Sequence, residues 1–252
     1  MSTTTTAAHS QRSPELLGQT VVVIGGSSGI GLETARRARA EGADVVLTGL
    51  HTEALERAAL EVDALSTAAF DANDPAALER FFAGLPKEID HVMVTAGAPH
   101  YGRLLETTLD DLRHALGDRL LLAVEAARNA AGRVRPGGTL LFMSAATGHP
   151  SVGTGSVSTV AAALPALTAN LALELAPVRV NLIAAGFIDT PLSASLLGSD
   201  LEKRRDQLRA TLPIRRVVGP ADVAALAVHI MSNTALTGAT YTIDGGEQLV
   251  PA

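Results

Sequence analysis

The 252 residues suit one large α/β domain, and a 47% hydrophobic content is enough to bury a substantial core. With 18% charged residues and a net charge of −6, the composition excludes a chain disordered throughout and argues against nucleic acid, which asks for a basic face. There is no cysteine, which removes disulfides, thiolate nucleophiles and cysteine-based metal sites together, and no metal is expected.

Residues 1–14 are rich in Ser and Thr without the apolar core of a secretory signal, and are expected to form a flexible tail before a domain over 15–252. Val21 to Ile24 is an unbroken apolar run, as for a strand buried on both faces. A helix is predicted over Gly31 to Glu41, then a strand over Asp44 to Thr48 and a helix over Thr52 to Asp63 with Thr52 as its N-cap. Ala68 to Phe70 is a short strand; Asp74 caps the next helix with Pro75 at its first position. A strand over Asp90 to Thr95 leads to a long helix, Leu109 to Arg133. Pro136-Gly137-Gly138 reads as a turn before a strand over Thr139 to Met143. Val157 to Leu175 is helical with Pro165 inside it, where a kink is expected. A strand over Val178 to Ile183, a loop–helix insertion over 190–212, a helix over Pro220 to Met231 and a strand over Thr240 to Ile243 complete the chain. The alternation predicts a doubly wound Rossmann fold with a parallel sheet of about seven strands. No apolar run is read as reaching the ~18–20 residues of a bilayer-spanning helix. No membrane association and a cytoplasmic location are therefore expected.

Gly25-Gly26-Ser27-Ser28-Gly29-Ile30-Gly31 lies between the first strand and the first helix. The glycines permit a tight turn and close backbone approach, and the helix N-terminus offers N–H groups and a positive dipole end to a phosphate. Gly25, Ser27, Ser28, Gly29, Ile30 and Gly31 are thus the expected phosphate-binding residues of a dinucleotide site. The spacing of Gly25, Gly29 and Gly31 resembles the fingerprint of the short-chain dehydrogenase/reductase family. Val94-Thr95-Ala96-Gly97, Leu171 to Asn181, Ala185-Gly186-Phe187-Ile188-Asp189-Thr190-Pro191 and Asp244-Gly245-Gly246 resemble later motifs of that family, in the same order. Departures are Ile24 for Thr, Val94 and Thr95 for two Asn, and Ala185 for Pro. The resemblance implies cofactor contacts at Asp71, Ala96, Gly97, Gly186, Ile188 and Thr190.

The second strand ends Leu47-Thr48-Gly49-Leu50-His51, without the carboxylate that receives an NAD ribose. NADP(H) is preferred over NAD(H) by elimination, with His51, Arg36 and Arg37 as the groups near a 2′-phosphate.

The resemblance also implies a Ser that orients a substrate carbonyl, a Tyr that moves the proton and a Lys one turn later. Ser144 falls at the Ser position, but Val157 and Ala161 fall at the Tyr and Lys positions. No Tyr lies between Tyr101 and Tyr241, and no Lys between Lys87 and Lys203. Ser144, His149, Tyr101 and Arg119 are the candidate catalytic residues, with His100 as a further proton donor. Arg119 is a cation that stays protonated. Two readings follow. One is a divergent NADP(H)-linked reductase of a small carbonyl or enone compound. The other is a dinucleotide-binding pseudoenzyme that acts as sensor, partner subunit or non-redox catalyst. Relatives implied by the resemblance form homodimers or homotetramers through the two long helices.

Overall fold

The computed structural model describes residues 14–146 and 151–250. The expected tail up to residue 13 and the candidate His149 lie outside them. In chain order the elements are β1 (Thr20–Ile24), α1 (Gly29–Ala40), β2 (Asp44–Gly49), α2 (Thr52–Val62), β3 (Ser66–Ala69), α3 (Pro75–Gly84), β4 (Ile89–Val94), α4 (Leu109–Ala130), β5 (Val134–Ala145), α5 (Gly155–Glu174), β6 (Arg179–Ala185), α6 (Pro191–Leu197), α7 (Leu201–Thr211), α8 (Pro220–Ser232) and β7 (Thr240–Ile243).

The seven strands form one parallel sheet in the order β3-β2-β1-β4-β5-β6-β7. This is the Rossmann arrangement that the βα alternation predicts. Alternate residues of each strand serve opposite faces. Val21 and Val23 join α1, α2 and α8 residues in one core, while Val22 and Ile24 join α3, α4 and α5 residues in the other. Both faces are covered, so the apolar run of β1 is buried throughout. The strand order reverses at β1 and β4. A crevice opens there beyond the carboxyl ends of the strands, and the site is built at it.

Three expectations need correction. Thr52 is the first residue of α2 rather than its cap; His51 holds the N-cap position and makes no side-chain capping bond. The turn at Pro136 to Gly138 is absorbed into β5, which begins at Val134 and shifts register against β4 between Ile89 and His91. α5 does reach the length and apolarity of a bilayer-spanning helix, being 20 residues long with a mean hydropathy of 1.5 over its most apolar 18-residue window. Its Val160, Ala161, Leu164, Thr168 and Leu171 are buried, and it packs on α4, β5 and β6. Its apolar composition reflects a wall of the core. α5 remains one helix through Pro165, although the missing proline N–H leaves the Ala161 carbonyl without its i+4 donor.

A buried arginine fastens the far end of the sheet. Arg179 on β6 donates to the carbonyls of Gly137 (3.0 Å), Ile230 (2.8 Å), Met231 (2.7 Å) and Leu236 (3.0 Å). Ile230 and Met231 lie in the last turn of α8, whose carbonyls have no helical partner.

Candidate active site

The first turn of α1 lies at the bottom of the crevice. Asp74, Thr108 and Thr190 cap α3, α4 and α6 with their side chains, but Ser28 at the N-cap of α1 does not. The N–H groups of that turn therefore face the crevice without a side-chain acceptor. Packing shapes the loop before it. A Cβ on Gly31 would meet the Gly25 carbonyl oxygen at 2.2 Å, and Gly25 itself has φ +95°. The Thr95 hydroxyl lies 2.9 Å from the Gly25 carbonyl oxygen and 3.1 Å from that of Ile24. It joins the end of β4 to the loop. The cradle has the dipole, the orphan donors and the close approach that a dinucleotide pyrophosphate needs.

A cavity of about 950 Å³ runs from this loop to the ends of β5 and β6. Among the expected residues, Gly25, Ser28, Gly29, Ile30, Gly31, Gly97, Gly186, Ile188, Thr190, Tyr101, Arg119 and Ser144 line it. Ser27, His51, Asp71 and Ala96 do not. Ser27 packs on Gly49, and a Cβ there would touch the Ser27 side chain at 3.0 Å. His51 is exposed at the start of α2. Asp71 accepts the Asn73 N–H at 2.9 Å in a local turn, and it is Asn73 that reaches the cavity wall. Ala96 packs against the core under α4. Arg36 is engaged by Glu33 and Glu61, so it is already paired.

Ser144, at the end of β5, is 5% exposed, and its Oγ has no hydrogen-bond partner among the described residues. A buried hydroxyl without a partner is costly and invites a ligand oxygen. Val157 on α5 also lines the cavity, while Ala161, one turn on, is buried to 3% exposure and does not. Tyr101 is 58% exposed at the mouth, on a loop joined to the start of α5 by the Ser156 hydroxyl, which donates to the His100 carbonyl at 2.6 Å.

Arg119 reaches the cavity from α4. Its guanidinium donates to the carbonyl oxygens of Met143 (3.3 Å) and Gly97 (2.5 Å) at the ends of β5 and β4. Desolvation pulls its pKa below the ordinary arginine value, with the nearby Tyr101 acting the other way. His114, Ala115 and Asp118 line the same wall and were missed in the sequence. The signal was available: residues 114, 115, 118 and 119 share one helical face. α6 supplies Leu192, Ser193, Leu196 and Leu197, and α7 supplies Arg204, so the 190–212 insertion does border the cavity. Arg204 pairs with Glu247 at 2.6 Å and Arg205 with Asp189 at 2.7 Å, which ties α7 to the loops after β6 and β7. Asp244 lines the cavity too. Burial works to raise its pKa, but hydrogen bonds from Gly246 and Gln248 outweigh burial and hold it below the usual carboxylate value.

A family profile described as enoyl-(acyl carrier protein) reductase matches residues 24–248. The chain is 30% identical over 251 residues to dehydrogenase/reductase SDR family member 4 of Sus scrofa, covering 94% of this chain and 89% of that one. It is 30% identical over 247 residues to the NADP-dependent (R)-specific alcohol dehydrogenase of Lentilactobacillus kefiri, covering 92% and 97%. The crystal structure of BdcA in complex with NADPH superposes with a TM-score of 0.83 at 28% identity, covering 94% of this chain and 98% of that one.

Proposed function

The chain belongs to the short-chain dehydrogenase/reductase family, an oxidoreductase family, and on that premise we propose that it catalyses NADP(H)-linked reduction of a small carbonyl or enone compound. One observation carries this reading. A single cavity joins the uncapped N-terminus of α1 to a buried Ser144 hydroxyl that has no partner among the described residues. The preference for NADP(H) is supported by a relative named as NADP-dependent and a neighbour solved with NADPH, and by the absence of a carboxylate at the end of β2.

The reduced nicotinamide, when bound, supplies a hydride. Gly25, Ser28, Gly29, Ile30 and Gly31 would hold the pyrophosphate, Gly97, Gly186, Ile188 and Thr190 the nicotinamide half, and Asn73 rather than Asp71 the adenosine end. Ser144 would orient the substrate oxygen. Leu192, Leu196 and Leu197 give the substrate an apolar cover. Val157 stands where the family places its Tyr, so the proton has to come from another source. Tyr101, His100 and His149 remain the candidate donors. A homodimer or homotetramer through α4 and α5 and a cytoplasmic location belong to the same proposal.

The first test is thermal denaturation in the presence of NADPH, NADP+, NADH or NAD+. A ligand at a hundred times its dissociation constant adds about 2.7 kcal/mol of stability. A larger rise with the phosphorylated pair is expected. No rise with any of the four at millimolar concentration would remove the cofactor from the reading.

A further inference from the structure

Arg119 lacks what the other described cation of this cavity has. Arg204 is paired with Glu247, whereas no carboxylate among the described residues pairs with Arg119. Asp118 borders the same cavity but makes no ion pair with it. His100, His114 and Tyr101 are the remaining titratable groups on that wall among the described residues. Among the described residues, two of the five guanidinium N–H groups are used, both on neutral carbonyls. A partly buried cation with only carbonyl partners among the described residues lacks a counter-charge. One of those carbonyls belongs to Met143, and the next residue is Ser144, whose buried Oγ also lacks a partner among the described residues. Both residues line the one cavity, each with donors unused among the described residues.

We propose that Arg119 and Ser144 form a receptor for a delocalised oxyanion, so that the substrate is a conjugated enone or enal reduced at its C=C bond rather than an isolated ketone. The proposal rests on the hydride-transfer reading above. When bound, the reduced nicotinamide dinucleotide gives a hydride to the β carbon and ends oxidised. The C=C electron pair shifts to form an enolate, whose negative oxygen lies between Arg119 and Ser144. Water then protonates the α carbon and leaves as hydroxide to solvent. A fixed charge suffices for this sequence, because the charge is spread and the proton arrives later at carbon. Hydride addition to an isolated ketone would instead localise charge on an alkoxide, which needs a proton donor at the oxygen as it forms. Arginine stays protonated and does not supply one, Val157 has no proton to give, and among the described residues neither the Tyr101 nor the His100 side chain hydrogen-bonds to Arg119 or Ser144.

The test uses a stable enolate as probe. 1,3-Cyclohexanedione is an anion with delocalised oxygen charge at neutral pH, and cyclohexanone is its neutral counterpart. Calorimetry on the full chain saturated with NADP+ should show the dione binding about ten- to a hundredfold more tightly, the range expected for charge-assisted hydrogen bonds. Arg119→Met should abolish that preference, and Arg119→Lys, which keeps the charge, should retain part of it. Ser144→Ala should weaken the dione by a smaller factor. Equal affinity for dione and ketone overturns the proposal. So does Arg119→Met that melts earlier yet keeps the preference, because that is what a structural role at the Gly97 and Met143 carbonyls predicts. NADP+ binding is titrated separately. Its absence, with the dione preference intact in the chain without NADP+, would bring down the reductase reading while the oxyanion receptor stands.

Discussion

At the scale of single residues, the glycines of the phosphate loop divide by what surrounds them. Gly31 has no room for a Cβ, because the Gly25 carbonyl oxygen would lie 2.2 Å away. Gly29 has room, with Thr190 side-chain atoms at 3.6 Å, but its φ of +54° disfavours any side chain. Gly31→Ala must therefore displace the loop and is expected to lower NADPH affinity by at least about tenfold, or about 1.4 kcal/mol. Gly29→Ala should cost about 1 kcal/mol of stability and leave a measurable cofactor shift. Thermal denaturation of both variants with and without NADPH separates them; equal loss of the ligand shift in the two would contradict the packing argument. The motif spacing singled out both glycines, but only the fold shows why each is there. Thr95 makes the same point. In the sequence it reads as a departure from a family motif, and in the structure its hydroxyl reaches the loop carbonyls.

Among the elements, α1, β1 and β4 were legible because short-range signals define them: an apolar run, a glycine loop and a helical period. Asp74 and Pro75 likewise announced α3 correctly. His51 and Asp71 do not line the cavity and Arg36 is paired with Glu33 and Glu61, because proximity in sequence to the end of β2 or β3 does not decide where a side chain points. α5 was misread as too short in apolar length, since its core-facing and outward residues are both apolar. Its outward Leu173 is 79% exposed, and Leu121 on the neighbouring α4 is 63% exposed. These two helices are the proposed interface between copies of the chain. Leu173→Glu is expected to shift the protein toward monomer in sedimentation equilibrium without lowering the melting temperature of the monomer. An unchanged mass, or a monomeric wild type, would place any assembly elsewhere.

The whole molecule carries a pH liability at a point remote from the cavity. His91, on the central strand β4, is 1% exposed; its Nε2 is 2.7 Å from Gln19 Oε1, which makes Nε2 the protonated nitrogen. Burial first, then the charges of Arg179 and Arg135, lower its pKa from 6.5 to about 3. The folded state therefore keeps His91 neutral while the unfolded chain takes up a proton. Stability is fully present above pH 6.5 and falls as pH drops toward 3, by about 1.4 kcal/mol per unit within that window. Urea denaturation at pH 6.5 and pH 5 should show a loss of about 2 kcal/mol from this residue. His91→Gln, which cannot take up the proton, should reduce the loss by that amount; an unchanged pH slope in the variant would assign it to other groups.

The sequence by itself determined the order of strands and helices, the parallel sheet and the glycine loop between β1 and α1. These depend on hydrophobic period, glycine placement and caps, all read within a few neighbouring residues. The absence of a Tyr and a Lys near the expected positions was equally plain, since it needs only a count. What the tertiary structure decided is which distant groups share one cavity. It joined Ser144 from β5 to Arg119 from α4 and Gly97 from the end of β4, set Asn73 in the wall in place of Asp71, and left Arg119 without a carboxylate among the described residues. Such meetings follow from the reversal of strand order at β1 and β4 and from the packing of α4 and α5 on one face of the sheet. The chain pattern implies those long-range relations only once the whole sheet has formed.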